Sequence, residues 1–459
     1  MHTDETVNAY IVGQLLAGEP YHYDPQDRHG PALSEIALPL ARLQGAHTFA
    51  SLTESELRLV TVLGGSLMIL LFGLGVELFG FPACLAAALL FAFGPMPVYY
   101  SRYFIHETFF VAATLGLLLA LLWRRSWAAA IFTGLSAAFM VACKETAALH
   151  FAALGAAFLA CHFARPAPKV PGEIPPLRFW LAAGGMFLIS GILLFTWFGR
   201  DWRALTDLLH AGPHLAARAG GEGHAKPFWY YLGLLANGGG CFVLFFAVIG
   251  ILLQLAVKGV SRTWLFLGVY ALLIIGIYSA IPYKTPWLGL NLWLPLALFV
   301  GSGMELLRAR MKPFPYRHLF WPFVLICGAA LAMDTYTRVF RDPIGEKNPY
   351  AYAHTIDDLL GLPARIAEVT QARHLANPRI AVVATDAWPL PWYLRQYAQT
   401  GFWQPGQDPG PADFYVTTTD VPDNVQARLK SFQMEFFGVR PDVLLILWTP
   451  ADKSRTPTP

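Results

Sequence analysis

Apolar residues fall in long, almost uninterrupted runs over residues 58–334, and these runs determine how the chain is organised. A helix needs about 20 mostly apolar residues to cross a hydrocarbon core of about 30 Å. The runs therefore predict an α-helical polytopic membrane protein with about ten transmembrane helices, several of them short. The predicted spans are residues 58–78, 82–100, 108–123, 127–142, 147–163, 179–198, 239–257, 263–281, 287–305 and 318–334.

The pattern changes after Asp334, where polar residues, prolines and aspartates become frequent. Strands alternating with helices are typical of a small α/β domain, which is predicted at residues 335–448. Residues 449–459 are predicted to be a disordered tail, and residues 1–57 form a first loop before the membrane domain at 58–334. The predicted strands lie at 379–384, 414–416 and 443–447, and the helical patterns lie near 355–375 and 422–431.

Composition supports a membrane protein and argues against a nucleic-acid-binding one. Of the 459 residues, 55% are hydrophobic and only 14% are charged, and the mean hydropathy is +0.45. The 33 basic and 30 acidic residues nearly cancel, so the chain has no strong basic field for nucleic acid. The five cysteines lie in or beside apolar runs and are expected to be unpaired packing residues.

Basic residues cluster in alternate connections between the predicted spans. The positive-inside rule places such connections in the cytoplasm, which predicts that the other connections and everything after Asp334 are extracytoplasmic. The protein is therefore expected to be a multi-pass protein of the cell membrane with its C-terminal domain outside. The basic clusters are Arg124-Arg125, then Arg165, Lys169 and Arg178, then Lys258 and Arg262, and then Arg308, Arg310, Lys312 and Arg317.

The first loop is expected outside, yet no apolar segment precedes it in the sequence. One expectation is that the natural start lies upstream and that a first transmembrane helix is missing here. The alternative is that a ten-helix chain inserts its N-terminus unaided.

The first loop concentrates acids and histidines. Asp4 and Glu5 are adjacent, so on a helix their side chains point about 100° apart and serve different roles. One of them can act as a base while the other orients a partner. Asp24 and His29 follow in the same loop. The plainer alternative is that Asp4 and Glu5 are first-turn acids that favour a helix N-terminus.

Three further outer connections carry candidate ligands for a phosphate or a sugar. Arg102 has the planar fork that binds phosphate, and Trp287 offers an aromatic face. Charges next to apolar spans are expensive and usually paired or functional. The alternatives are aromatic anchoring at the interface, snorkelling of a lysine and purely structural ion pairs. The candidates are Arg102, His106 and Glu107 in the first connection, Lys144 and Glu145 in the second, and Tyr283, Lys284 and Trp287 in the third.

A metal ion is a further candidate. Asp4, Glu5 and Glu107 offer hard oxygen ligands that suit Mg²⁺ or Mn²⁺. Their spacing matches no strong metal signature, and the basic residues nearby can neutralise a phosphate without an ion, so both alternatives stay open.

Several motifs together resemble the C-type glycosyltransferase (GT-C) superfamily, which includes the protein O-mannosyltransferases and the lipid A aminoarabinose transferases. The resemblance is strongest to the flippase-activity-associated branch of archaeal-type glycosylation and runs through nearly the whole chain. The motifs are His2-Thr-Asp-Glu5, Glu19-Pro-Tyr-His-Tyr-Asp-Pro25, His29-Gly-Pro31, Tyr100-Ser-Arg-Tyr-Phe-Ile-His-Glu107, Lys144-Glu-Thr-Ala147, Pro282-Tyr-Lys-Thr-Pro-Trp287, Asn348-Pro-Tyr-Ala-Tyr-Ala-His-Thr355 and Trp388-Pro-Leu-Pro-Trp-Tyr-Leu394.

The resemblance implies sugar transfer from a polyprenyl-phosphate-linked donor to a glycan, lipid or protein acceptor on the outer face. It also implies that Asp4 matches the catalytic acid of the family's first loop and that Glu5 matches its neighbour. Two non-enzymatic alternatives remain, a component of a lipid-linked oligosaccharide flippase and a membrane scaffold. Charge gathered at one face and the lack of a detectable internal repeat favour the enzyme over a transporter.

Overall fold

The computed structural model describes residues 1–26, 28–123, 125–164, 173–221, 223–256, 260–312, 315–421 and 423–451. Four of the predicted inward-facing basic residues, Arg124, Arg165, Lys169 and Lys258, lie outside the described residues, as does the predicted tail from residue 452 onward. Two compact units make up the chain. The smaller one consists of residues 1–17, 45–54 and 353–459, and the larger one of residues 18–44 and 55–352.

Helices dominate the described residues, and short 3-10 helices and a π-helix at Thr337–Arg341 supplement them. Numbered along the chain, the α-helices are α1 (Thr3–Leu16), α2 (Ala32–Leu43), α3 (Glu54–Leu74), α4 (Val76–Phe79), α5 (Phe81–Phe93), α6 (Pro95–Ser101), α7 (Glu107–Leu122), α8 (Trp127–Cys143), α9 (Ala147–Ala164), α10 (Pro176–Phe195), α11 (Arg203–Ala219), α12 (Tyr230–Ala236), α13 (Gly240–Ala256), α14 (Arg262–Ala280), α15 (Leu290–Met311), α16 (Phe320–Tyr336), α17 (Gly361–Ala372), α18 (Leu390–Tyr393) and α19 (Asp423–Gln426). The strands are β1 (Ile380–Val383), β2 (Thr400–Trp403), β3 (Phe414–Thr418), β4 (Phe432–Arg440) and β5 (Val443–Pro450).

Each predicted span contains a helix, which confirms the prediction of a polytopic helical protein. Within the described residues, six helices are long and apolar enough to cross a membrane, and the number rises to eight if each of two bent pairs is one span. The bent pairs are α5 with α6, at 58°, and α12 with α13, at 109°. Two shorter apolar helices, α7 and α8, accompany them.

The larger unit is a helical bundle whose helices approach closely at glycines. A Cβ atom on Gly250 of α13 would lie only 2.1 Å from the carbonyl oxygen of Phe299 in α15. A Cβ atom on Gly134 of α8 would lie only 2.3 Å from the carbonyl oxygen of Ala183 in α10. Small residues at such crossings let helix backbones pack directly, which is a main source of helix association in membranes.

The smaller unit contains a five-stranded sheet in the order β2-β1-β3-β5-β4. β1 is parallel to β2 and to β3, whereas β5 is antiparallel to β3 and to β4. This mixed sheet confirms the predicted α/β domain. β5 continues through Pro450, two residues beyond the predicted end of the domain at 448.

Alternate residues of β1 face the two sides of this sheet, as strand geometry requires. Ile380 and Val382 pack with α17 through Leu362 and Ile366. Ala381 and Val383 pack on the other side with Val425 and Leu429. Helical segments therefore cover both faces.

Helix α1 belongs to the smaller unit, although the sequence analysis placed it in the first loop of the membrane domain. The Tyr10 ring packs edge-on against Phe49, with the centroids 5.6 Å apart, and against Trp388 at 6.5 Å. The hydroxyl of Thr355 donates to the carbonyl oxygen of Met1 at 2.8 Å. Residues 335–352, predicted as part of the α/β domain, lie in the larger unit.

Candidate functional site

A buried ionic cluster forms where α7 begins and α8 ends. Glu107 is the first residue of α7, and Lys144 directly follows α8. Their side chains form an ion pair, and only 3% of Glu107 and 9% of Lys144 is exposed. Burial disfavours the charged form of Lys144, but the Glu107 carboxylate more than compensates and the pKa of Lys144 is raised. Lys144 therefore carries its charge at neutral pH.

Glu145 adds a second ion pair to this cluster. Its Oε2 lies 3.1 Å from Nδ1 of His29, and its Oε1 accepts a hydrogen bond of 2.8 Å from the Tyr23 hydroxyl. Burial would raise the pKa of Glu145, but the His29 contact and the hydrogen bonds outweigh burial and lower the pKa to about 2. The carboxylate is thus ionised throughout the physiological range.

His106 completes the ionic cluster, which we define as Tyr23, His29, His106, Glu107, Lys144 and Glu145. The His106 ring is buried, its Nε2 lies 3.2 Å from the carbonyl oxygen of Gly30, and its centroid lies 5.5 Å from that of His29. Burial, followed by the nearby His29 and Lys144, lowers the pKa of His106 well below its usual value. The imidazole is therefore neutral at pH 7.

Glycine is required at position 30 because the loop approaches α8 directly. A side chain there would lie 2.2 Å from the carbonyl oxygen of Ala142, one residue before the end of α8. Gly30 therefore lets the loop that carries His29 pack directly against the end of α8, which Lys144 follows.

An aromatic cluster surrounds Trp287 in the same unit. The Trp287 centroid lies 6.2 Å from Tyr103, 6.5 Å from Tyr100 and 5.9 Å from Tyr352. Tyr283 packs against the ring of His224 at 4.9 Å and also raises the pKa of Lys144 electrostatically. The third connection therefore adjoins the ionic cluster.

Lys284 is held by a short antiparallel ladder between two connections. Its backbone N–H donates to the carbonyl oxygen of His224 at 3.1 Å, and Lys226 donates to Pro282 at 3.1 Å. The Lys284 ammonium donates to the carbonyl oxygens of Ile281 and Lys226, and the residue is only 1% exposed. Burial lowers its pKa.

Two predicted ligands of this unit have other neighbours. Arg102 donates to the carbonyl oxygen of Val339 at 2.9 Å and stacks on Phe340 at 4.7 Å, and burial lowers its pKa. Asp24 accepts a hydrogen bond from the backbone N–H of Gln26 at 2.9 Å, in a turn. These contacts order backbone segments around the site.

Asp4 and Glu5 lie in the smaller unit, at the start of α1. The Glu5 carboxylate accepts from the backbone N–H of His2 at 3.0 Å, and Nδ1 of His2 accepts from the backbone N–H of Asp4 at 3.1 Å. This reciprocal arrangement is a capping box. Glu5 thus has the helix-capping role that the sequence analysis held as the alternative.

Sequence reasoning missed Glu35, which lies in α2 of the larger unit. Its Oε1 is buried with no hydrogen-bond partner among the described residues, and burial raises its pKa to about 8. The available signal was the single acid in a mostly apolar helix, beside Ile36. His224 and Tyr352 were also missed as site residues. Nδ1 of His224 and the hydroxyl of Tyr352 form a hydrogen bond between segments 128 residues apart, which the sequence does not predict.

Two of the predicted metal ligands, Glu5 and Glu107, have other partners. Among the residues that the structure describes, no three His, Cys, Asp or Glu side chains form a group suited to a metal ion. Glu107 is paired with Lys144, and Glu5 caps α1.

The bundle and the sheet-containing unit together have the GT-C fold, as the motifs predicted. ArnT from Cupriavidus metallidurans bound to undecaprenyl phosphate superimposes with a TM-score of 0.67 at 16% identity, covering 98% of this chain and 94% of that one. The Archaeoglobus fulgidus oligosaccharyltransferase tethered with an acceptor peptide matches with a TM-score of 0.54 at 13% identity, covering 98% and 72%.

Arabinofuranosyltransferase AftD from Mycobacteria matches with a TM-score of 0.51 at 14% identity, and the match covers 98% of this chain and 38% of that one. No protein-family model matches the chain, and no curated protein matches it. The structural likenesses establish the fold.

Proposed function

We propose that the protein transfers a sugar from a polyprenyl-phosphate-linked donor to an acceptor on the extracytoplasmic face of the membrane. The observation that carries this proposal is the buried ionic cluster at one end of the transmembrane helices of a GT-C fold. Buried ionisable groups at membrane helix ends are costly and mark functional sites. ArnT, which shares the fold, is bound to undecaprenyl phosphate in its structure.

In the proposed reaction, the acceptor oxygen forms a bond to the anomeric carbon as the bond from that carbon to the phosphate oxygen breaks. Asp4 takes the proton of the acceptor hydroxyl, and polyprenyl phosphate leaves with the bonding electron pair. Lys144, Arg102 and Lys284 supply the positive charge that stabilises the departing phosphate. The acceptor class, a glycan, a lipid or a protein, stays open.

A groove in the larger unit supports a lipid donor. It has a volume of about 780 Å³, is lined almost wholly by apolar residues, and follows α7 from Phe109 to Trp123. At 1.5 Å per residue this distance is about 21 Å, so the groove extends through much of the hydrocarbon core. It begins two residues from Glu107, which suits a donor whose phosphate lies at the ionic cluster.

The direct test is an assay of purified protein in vesicles with a panel of polyprenyl-phosphate sugars, in which released polyprenyl phosphate is measured. Asp4→Asn should lower the transfer rate by about 10²–10⁴-fold, because the amide cannot accept a proton, while donor binding persists. The matched control is Asp442→Asn, an exposed hairpin position with φ 67 that asparagine tolerates.

Transfer at the wild-type rate by Asp4→Asn would remove Asp4 from the mechanism. No release from any donor would instead favour the non-catalytic flippase component. Dependence on Mg²⁺ or Mn²⁺ remains a proposal, and the same assay in excess chelator tests it.

A further inference from the structure

We propose that the larger unit binds an anionic phospholipid in a cavity whose arginines, Arg125 and Arg262, lie at the helix ends opposite the ionic cluster. The cavity has a volume of about 640 Å³. It lies among the last turns of α7, the first turns of α10 and α14, and the middle turns of α8 and α9. The cavity shares Trp123 with the donor groove but has its own arginines, and its proposed role does not depend on the proposed sugar transfer.

The walls of the cavity suit an acyl chain. Aromatic and aliphatic side chains dominate the lining, including Trp123, Phe151, Phe158, Phe179 and Trp180. Phe151 and Phe158 both lie on α9, seven residues apart, which corresponds to a depth of about 10 Å along the helix. An apolar cavity of this depth within membrane helices binds a lipid tail in preference to a soluble anion.

The polar groups of the lining suit a phosphate. Arg262 lines the cavity, and its Nη1 is buried without a hydrogen-bond partner among the described residues. Its guanidinium lies 5.9 Å from the centroid of Phe158, and thus beside the apolar wall. A buried, charged N–H without an acceptor is costly, and a phosphate oxygen forms a strong, charge-assisted bond with such a group.

Two helix N-termini reinforce the positive potential at the same place. Arg262 begins α14 and Pro176 begins α10, and both residues line the cavity. The N-terminus of a helix carries a partial positive charge that favours anions. Arg125 also lines the cavity and is neutralised by Glu173 at 2.7 Å. Among the lining residues that the structure describes, Arg262 is therefore the cation that selects the headgroup charge.

The test is a lipid titration of the full-length, delipidated protein followed by native mass spectrometry. We expect one phosphatidylglycerol to bind more tightly than phosphatidylcholine. Arg262→Gln should weaken phosphatidylglycerol binding by about tenfold and leave phosphatidylcholine binding unchanged. Arg310→Gln is the matched control, since Arg310 is an exposed arginine at the end of α15 that does not line the cavity.

A second pair of variants tests the place of binding. A Cβ atom on Gly155, which lines the cavity, meets no atom within 4 Å, so Gly155→Leu should extend into the cavity and abolish binding of both lipids. Gly184 also meets no atom and lies outside the lining, so Gly184→Leu should bind like the wild type.

Three results would overturn the proposal. These are an unchanged lipid preference in Arg262→Gln, unchanged lipid binding in Gly155→Leu, and equal competition by glycerol phosphate, which would show an anion site without a lipid requirement.

Discussion

The ion pair of Glu107 and Lys144 shows how strongly single residues constrain this membrane domain. Because both groups are buried, removing one partner leaves an uncompensated charge. We expect Lys144→Met to lower the free energy of unfolding by about 3–5 kcal/mol. The double variant Glu107→Gln/Lys144→Met should recover most of that loss. Denaturation in detergent measures both.

The control for these Lys144 and Glu107 variants is an exposed ion pair in the smaller unit. Arg428 and Asp408 lie 2.9 Å apart with side chains 34% and 59% exposed. Asp408→Asn should change the free energy of unfolding by about 0–1 kcal/mol. Equal effects of Lys144→Met and Asp408→Asn on the free energy of unfolding would show that the buried ion pair contributes no more to stability than an exposed one.

Glu35 predicts a dependence of stability on pH. Its pKa is raised from an ordinary 4.5 to about 8 in the folded protein, so between these values the folded state holds a proton that the unfolded state releases. Stability must then fall as pH rises through this window. Glu35→Gln cannot ionise, so its melting temperature relative to wild type should increase from pH 5 to pH 8. A constant difference would contradict burial as the cause.

At the residue scale, the sequence identified several side chains of the ionic cluster, but it did not identify their partners. Lys144 and Glu145 stood out because charges beside apolar spans need compensation. Their partners come from distant segments, since Glu107 is 37 residues from Lys144 and His29 is 116 residues from Glu145. Only the folded bundle determines which distant loops meet.

At the element scale, the strands that were predicted and those that were missed differ in position. β1, β3 and β5 occupy the interior of the sheet, and each was predicted from an apolar run. β2 and β4, which were missed, are the two edge strands. Edge strands carry more exposed residues, such as Phe402 and Met434 here, so their apolar pattern is weaker and less regular.

Helix α1 offers a test that separates structural from chemical roles of Glu5. Glutamine also completes a capping box, so Glu5→Gln should retain both stability and sugar transfer. Glu5→Ala removes the acceptor for the His2 backbone N–H and should cost about 1 kcal/mol of folding free energy. Transfer lost in Glu5→Gln, with normal melting, would show that the charge of Glu5 takes part in the chemistry.

At the scale of the whole molecule, the domains predicted as continuous stretches of sequence do not coincide with the two compact units. Hydropathy separated apolar from polar stretches, but it carries no information on which unit a polar stretch joins. Residues 1–17 and 45–54 therefore read as a loop of the membrane domain, while they fold with residues 353–459.

The predicted orientation of the chain in the membrane, with the α/β unit outside, is tested on the whole molecule. Cys241 is the exposed one of five free cysteines, so a Cys241→Ser background allows single reporters to be added. In intact cells an impermeant maleimide should label Gln404→Cys, and Arg310→Cys should react only after permeabilisation. Both positions are exposed. Labelling of Gln404→Cys only after permeabilisation would place the α/β unit in the cytoplasm and reverse the predicted orientation.

The smaller unit is built from segments near both ends of the chain, and this determines when α1 can pack during biosynthesis. Tyr10 of α1 packs against Trp388, so α1 has to wait for residues made almost at the end of translation. At about 5–20 residues per second, the interval is roughly 20–75 s. By the end of that period every transmembrane helix has been synthesised and can be inserted, while α1 still lacks its contact with Trp388. A nascent chain stalled before residue 353 should therefore expose α1 to proteases, and release of the complete chain should protect it.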